Sequence, residues 1–461
     1  MCNRGTKLRG WSRAALLAGV LAAPGVLTGC EDWLSVTNPG AIEPPALENP
    51  TNIQLMVDGV IGDFQPAFAW TALWSGVFTD ELRNHHTFFE NPEIDRRDIS
   101  ETNGTYTAAV YNGLHRARFL ADSVSTRLKV LLADSASRDL RLAQVLGYAG
   151  YTYVLLGEQY CETPLNLSAP VPSEELLRMA AQRFEEAIPV AMAARAAAAA
   201  IAPATAASRR TVATADSIAN FARVGAARAY LNLGNMAKAV EFASAVTPTY
   251  QSPSDPGFQF WAWYLEGATF GDRRRHANPF WEFISAGGSW FSISGTPFLD
   301  LVDPRVPHSD TPVGTADGTR QFVPRSPPSF STYDGTLEGA PFEATSAIRV
   351  ASALEARYII AEAQGNTAAN VAFVNERRAI GGQLPLESPT EAEYMAALRD
   401  QRRRDFYLDG HRMGDLRRYE RLYSVDLWPK GSYFGSTAVQ YGDQTCWPVP
   451  LAEKINNPNY R

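Results

Sequence analysis

The sequence predicts a mainly α fold built from tetratricopeptide-like helix pairs, interrupted by one loop-rich, aromatic-rich irregular region. Three observations carry this. Apolar residues recur at three- and four-residue steps over about 105–247 and again over about 346–422. Gly-Asn dipeptides separate paired helical stripes in both stretches. Between about 248 and 345 the helical period is lost, and proline, glycine and aromatic residues take over.

In chain order, the first segment reads as an export leader over residues 1–29. Arg4, Lys7, Arg9 and Arg13 precede an apolar run of 14 residues, Ala14 to Leu27, interrupted only by Gly and Pro. Such a run suits a signal peptide and falls short of the ~20 residues a membrane-spanning helix needs. Thr28-Gly29 directly before Cys30 matches the bacterial lipobox, not the A-x-A site of freely secreted proteins. Cys30 is therefore expected to be the lipidated first residue of the mature chain, held at a membrane by ~0.8 kcal/mol per buried methylene. An internal cysteine after an ordinary signal peptide is the alternative. Residues 30–50, opening with Glu31-Asp32 and containing Pro and Asn, read as a polar tether. Residues 51–461 follow as the folded part.

Loss of the leader removes four basic residues and no acidic one, shifting the formal charge from −7 to −11. An acidic surface argues against nucleic acid or anionic lipid as main partner. Cys161 and Cys446 are then the remaining thiols, and in an exported protein they suggest one disulfide between distant parts of the chain. Two unpaired buried cysteines are the alternative, and geometry must decide.

Leu142, Leu146, Ala149, Tyr153 and Leu156 form one buried helix face. A second helix is expected to start near Asp216 and to bury Ile218, Phe221, Ala222, Gly225, Ala229 and Leu233, ending at Gly234-Asn235. A third follows through Met236, Ala239, Val240, Ala243 and Val246, completing one repeat-like unit. The alanine-rich run from Ala191 to Ala207 reads as a helix end passing into a loop. Near the C-terminus Val350, Leu354, Tyr358 and Ala361 make a stripe, Gly365-Asn366 the turn, and Ala368, Val371 and Asn375 the next helix. Thr390 with Glu393 is a capping box that opens a further helix.

No catalytic signature is present: no Walker A loop, G-x-S-x-G elbow, H-E-x-x-H pair or dinucleotide G-x-G-x-x-G. No cofactor is implied. Asp80, Glu81, His85, His86 and Glu90 are metal-ligand types at close spacing, but the expectation is a solvated surface loop, not a metal site. Asp300, Asp303, Asp310 and Asp317 lack EF-hand spacing. The block Arg402 to Arg418 interleaves Asp405, Asp409 and Asp415 with arginines. Ion pairs on and between helices are expected, with Phe406 and Leu416 as apolar contacts, Gly410 as a break and His411 as a packing residue.

At this block the sequence resembles the SusD/RagB family of outer-membrane lipoproteins, whose C-terminal pattern is of the type E-R-R-x-E-L-x-x-E-G-x-R-x-x-D-L-R-R. Arg402, Arg403, Phe406, Gly410, Arg412, Asp415, Leu416, Arg417 and Arg418 follow it, with Asp at 405 and 409 and Gln401 in place of Glu. Arg357 to Ala363, Asn375 to Ala379, Trp447-Pro448-Val449-Pro450 and Asn457-Pro458-Asn459 resemble further family segments in the same order. The resemblance spans essentially the whole mature chain and implies one SusD-like domain over 51–461, with 248–345 on the ligand side. It also implies a partner, a SusC-like TonB-dependent outer-membrane transporter, and an oligosaccharide or peptide ligand.

Aromatic faces bind the C–H faces of sugar rings. Trp70, Trp74, Trp261, Trp263, Trp281 and Trp290 are accordingly the candidate ligand contacts. The expected protein is a non-enzymatic, surface-exposed, lipid-anchored nutrient receptor of the outer membrane. A helical-repeat scaffold in envelope assembly and a glycan hydrolase are the alternatives.

Overall fold

The computed structural model of the protein describes residues 44–267, 276–285, 288–433 and 438–460. The leader, Cys30 and the first part of the tether lie outside the described residues. Within Leu47–Arg461, one compact unit, the main helices are α1 (Ile53–Phe78), α2 (Asn112–Leu132), α3 (Leu140–Gln159), α4 (Ser173–Ala199), α5 (Ala206–Asn232), α6 (Met236–Ser244), α7 (Ala353–Gln364), α8 (Ala368–Ile380), α9 (Glu391–Asp405) and α10 (Arg412–Tyr423). Each helix from α2 to α6 packs on its predecessor, α1 lies on α2 and α3, α7 lies on α5 and α6, and α10 returns to α1 and α3. None of the described helices is long and apolar enough to cross a membrane.

The expected stripe on α3 is buried throughout, and α3 sits between α2 and α4. Close approach of α3, α4 and α5 depends on missing side chains. A Cβ on Gly150 would stand 2.5 Å from the Phe184 ring and one on Gly225 2.2 Å from it. The ring of Phe184 fills the space those two glycines leave. The α5–α6 turn is the expected one: Gly234 takes φ +78°, and the Asn235 side chain accepts from Lys238 N. A positive φ suits glycine because it has no Cβ to clash.

The start of α5 differs from expectation. It begins ten residues before Asp216, where Thr205 and Ser208 satisfy each other's backbone N–H groups in a capping box. Ser in place of the usual Glu or Gln hid that signal. The alanine run splits between two helices, since α4 continues to Ala199 before a short connection. The box at Thr390 and Glu393 caps α9 as the sequence indicates.

Short strands pair two by two, some within the irregular stretch and others outside it. β1 (Arg83–Asn84), β2 (Glu162–Pro164), β3 (Pro170–Pro172), β4 (Gln259–Ala262), β5 (Phe291–Ser292), β6 (Val313–Gly314), β7 (Arg320–Gln321) and β8 (Ile348–Ser352) form antiparallel ribbons β1–β5, β2–β3, β4–β8 and β6–β7. Cys161, just after α3, is bonded to Cys446 across 285 residues, with the Cα atoms 5.6 Å apart. Beside it Trp447 N donates to Gln159 O at 2.9 Å, fixing the C-terminal tail on the end of α3.

The arginine block is buried, and its pairs reach across the fold. Arg412 forks onto Asp80, which follows α1, at 2.7 and 2.8 Å. Arg402 and Arg418 share Asp415 at 2.7 and 2.8 Å, and Arg418 also holds Glu362 of α7 at 2.8 Å. Asp405 receives Arg377 of α8 at 2.8 Å and lies 3.2 Å from Arg305 of the irregular region. Burial raises the Asp405 carboxyl, but the Arg377 and Arg305 guanidiniums overcome that and hold it well below the usual carboxylate range. Asp409 bonds His411, not an arginine, at 2.6 Å. Nor are Asp80 and Glu81 solvated: both are buried. The loop after α1 turns inward there because Arg412 and the Leu408 N–H reach it.

Two outcomes follow for stability. Arg377→Met leaves a buried carboxylate short of a partner, and thermal melts should show a loss of about 3–5 kcal/mol. Burial, helped by Asp409 and Asp80, lifts the Glu81 carboxyl well above its ordinary value of 4.5 against the Leu408 N–H and Arg412. Folded Glu81 thus stays protonated where the unfolded chain has lost the proton, so its contribution to stability declines as pH rises above 4.5. Glu81→Gln should flatten that decline and raise the melting temperature at pH 8 relative to the parent, measured against pH.

Candidate functional site

The loop from α1 to the Asn91–Asp95 turn is pinned at both ends. After Asp80 and Glu81, Arg83 bonds Asp95 at 3.1 Å and Asn84 N donates to the same carboxylate at 2.8 Å. At the far end Glu90 accepts from Gly104 N and Thr105 N at 2.9 and 2.6 Å. Pairing of β1 with β5 sets Asn84 opposite Phe291, and His85 N donates to Trp290 O at 2.7 Å. The residues between the pins, His85 to Phe89, are thereby laid beside Trp290.

A ladder of rings results. Trp70 of α1 lies 5.4 Å from Phe283, which lies 4.3 Å from Trp290. His86 stacks on Trp290 at 3.6 Å with the planes 24° apart. Phe88 lies 6.5 Å beyond His86, and Phe89 5.1 Å beyond Phe88. Exposure rises along it, from buried Phe283 to Phe88 at 45 % and Phe89 at 73 %. Partial burial lowers the His86 pKa, so its ring is neutral at pH 7. Its Nδ1 accepts from Phe88 N at 3.2 Å, which places the proton on Nε2 as a donor beside the exposed rings. Flat apolar faces with a few polar groups at their edge are what a sugar ring requires.

Behind the ladder runs a second chain of contacts, Asp317 to His85 Nδ1 at 2.9 Å and His85 Nε2 to Ser292 Oγ at 2.8 Å. The order resembles an acid–base–nucleophile triad. Ser292 is fully buried, however, so its hydroxyl cannot meet a substrate carbon. Among the described residues no three His, Cys, Asp or Glu side chains gather as metal ligands.

Of the six tryptophans expected to contact ligand, Trp70 and Trp290 are brought together in the ladder. Trp74 has no face to offer: it is 3 % exposed and packs edge-on against Phe291 at 5.4 Å. Trp261 is half-buried in β4, opposite Arg349. Trp263 is 60 % exposed but is apart from the ladder, and Trp281 packs half-buried against the core. The remaining rings of the ladder, His86, Phe88, Phe89 and Phe283, are not tryptophans. Three of them carry a signal in His85-His86-Thr87-Phe88-Phe89, an aromatic run inside a polar loop, whereas Phe283 has none.

A cavity of about 490 Å³ lies on other elements, between the end of α3, the start of α4 and α10. Its charged groups are engaged with each other and with backbone. Arg417 Nη1 donates to the carbonyls of Gly157, Glu158 and Tyr160 at 2.8–2.9 Å and so caps α3.

No family model and no curated protein matches the chain. Solved structures do. A laminarin-binding SusD-like protein, 16 % identical, superposes with a TM-score of 0.61 over 89 % of this chain and 98 % of its own. A SusD superfamily protein from Bacteroides thetaiotaomicron, 14 % identical, gives 0.61 over 90 % and 99 %. Surface glycan-binding protein A from the same organism, in complex with laminarihexaose, is 12 % identical and gives 0.58 over 89 % and 98 %. Identities this low speak to architecture alone, and on that ground the chain has the fold of the SusD superfamily.

Proposed function

We propose that the protein is a surface-exposed outer-membrane lipoprotein, anchored through Cys30, that captures an oligosaccharide on the exposed end of the ring ladder and delivers it to a SusC-like TonB-dependent transporter. The observation that carries the capture step is the ladder itself: Trp290 and His86 stacked, then Phe88 and Phe89 open to solvent. Leaving large apolar rings exposed costs solubility unless something covers them, and the apolar side of a pyranose does so. Two of the proteins with this fold named above are described with laminarin or laminarihexaose, which favours a glycan over a peptide. The leader and lipobox support the anchor, and the resemblance at Arg402–Arg418 supports the transporter partner.

A pure scaffold has no use for an open aromatic face. A hydrolase reading gains nothing from the Asp317–His85–Ser292 chain, because the hydroxyl is sealed.

A glycan array followed by calorimetry tests the proposal. Trp290→Ala and Phe88→Ala should each weaken binding of the best glycan about tenfold, the scale of one lost ring contact. Trp74→Phe, remote from solvent, should leave the affinity unchanged, and no reducing ends should be released. Unaltered binding in both ladder variants would refute the site.

A further inference from the structure

Val313–Gln321 is the β6–β7 hairpin. Its tip is organised around one carboxylate. Asp317 Oδ1 accepts from Thr315 Oγ1, Thr319 N and Thr319 Oγ1 at 2.7, 3.0 and 2.7 Å, while Oδ2 faces His85. Ala316 N donates to Ser289 O at 2.9 Å, so the hairpin also leans on the segment that carries Trp290. Slight burial raises the Asp317 carboxyl, and the Thr319 N–H, His85 and the threonine hydroxyls more than reverse this, so it is an anion that only accepts.

That fact sets the direction of the bond to His85, whose Nδ1 carries the proton it gives to Asp317. His85 Nε2 is paired with the Ser292 hydroxyl. The backbone N–H of the same residue is bound to Trp290 O. One side chain and one amide thus join three segments: the His85–Phe89 run, the Trp290–Ser292 segment and the hairpin.

Resting on the glycan-binding reading above, we propose that His85 is the positioning residue of that site, locking the Val313–Gln321 hairpin and the Trp290–Ser292 segment together so that the His86–Trp290 stack is preformed before ligand arrives. A preformed platform binds more tightly because ordering it no longer opposes association. His85 itself is 7 % exposed and offers little surface of its own. Its contribution passes through His86 and Trp290.

Isosteres separate its two bonds. An asparagine amide nitrogen replaces Nδ1 and keeps the Asp317 bond, whereas a glutamine amide reaches the Nε2 position and keeps only the Ser292 bond. In the ligand-free full chain, His85→Ala and His85→Gln should speed hydrogen exchange at Ala316 and Thr319. They should also move the His86 ring protons downfield, out of the shielding of the Trp290 indole. His85→Asn should restore both signals. Asp317→Ala, from the hairpin side, should reproduce His85→Gln and guards against a variant that fails to fold. With laminarihexaose as probe, His85→Gln should weaken binding about tenfold, the loss of one charge-assisted bond, and His85→Asn about twofold or less. Unchanged exchange and unchanged His86 shifts in His85→Gln and Asp317→Ala would overturn the proposal. So would altered signals with undiminished affinity. If the parent protein ignores laminarihexaose and the array glycans while the ligand-free signals change as described, the locking role stands and the glycan reading falls.

Discussion

Carboxylates held by arginines inside the protein are the constraint on which the other features rest. A buried carboxylate is tolerable only if a cation and further donors meet it, and the reverse holds for each guanidinium. Asp405 is met from α8 and the irregular region, Asp415 from α9 and α10, Glu362 from α10, and Asp80 from α10. Apart from Arg418–Asp415 within α10, each pair joins different elements of the fold. The Arg402–Arg418 block therefore acts as a hub: it holds the helical layers and the irregular region in one relative placement, where apolar packing alone would tolerate sliding.

The hub sets the position of the ring ladder. Arg412 and the Leu408 amide draw Asp80 and Glu81 into the interior immediately after α1. Asp95 captures Arg83 and Asn84, and Glu90 takes the amides of Gly104 and Thr105. Five residues are left between these anchors, and three of them carry the outer rings of the ladder. A polar interior thus presents an apolar surface, and the aromatic residues need contribute little to holding their own loop.

The helical part was legible in the sequence because its signals are local. The α3 stripe, the Gly234-Asn235 and Gly365-Asn366 turns and the Thr390 capping box each express a short-range preference, and each is seen in the structure. The start of α5 was misplaced because Ser208 completes a cap that usually takes Glu or Gln. The site was less legible. Trp74 and Trp290 look alike in sequence, and only long-range pairing of β1 with β5 buries one and leaves the other at the surface. Asp80 and Glu81 read as loop acids for the same reason, since the residues that bury them lie more than three hundred positions away. His85 and His86 read as part of a solvated loop, but their partners, Asp317, Ser292 and Trp290, come from short strands and turns with no periodic signature.

The sulfur bridge from Cys161 to Cys446 ties together two positions 285 residues apart and turns the chain between them into a covalent ring. Ring closure therefore waits until residue 446 has been made and has come back to the end of α3. A product cut short anywhere before position 446 would carry an open thiol at 161, a chemical mark that separates it from chains whose ring is closed.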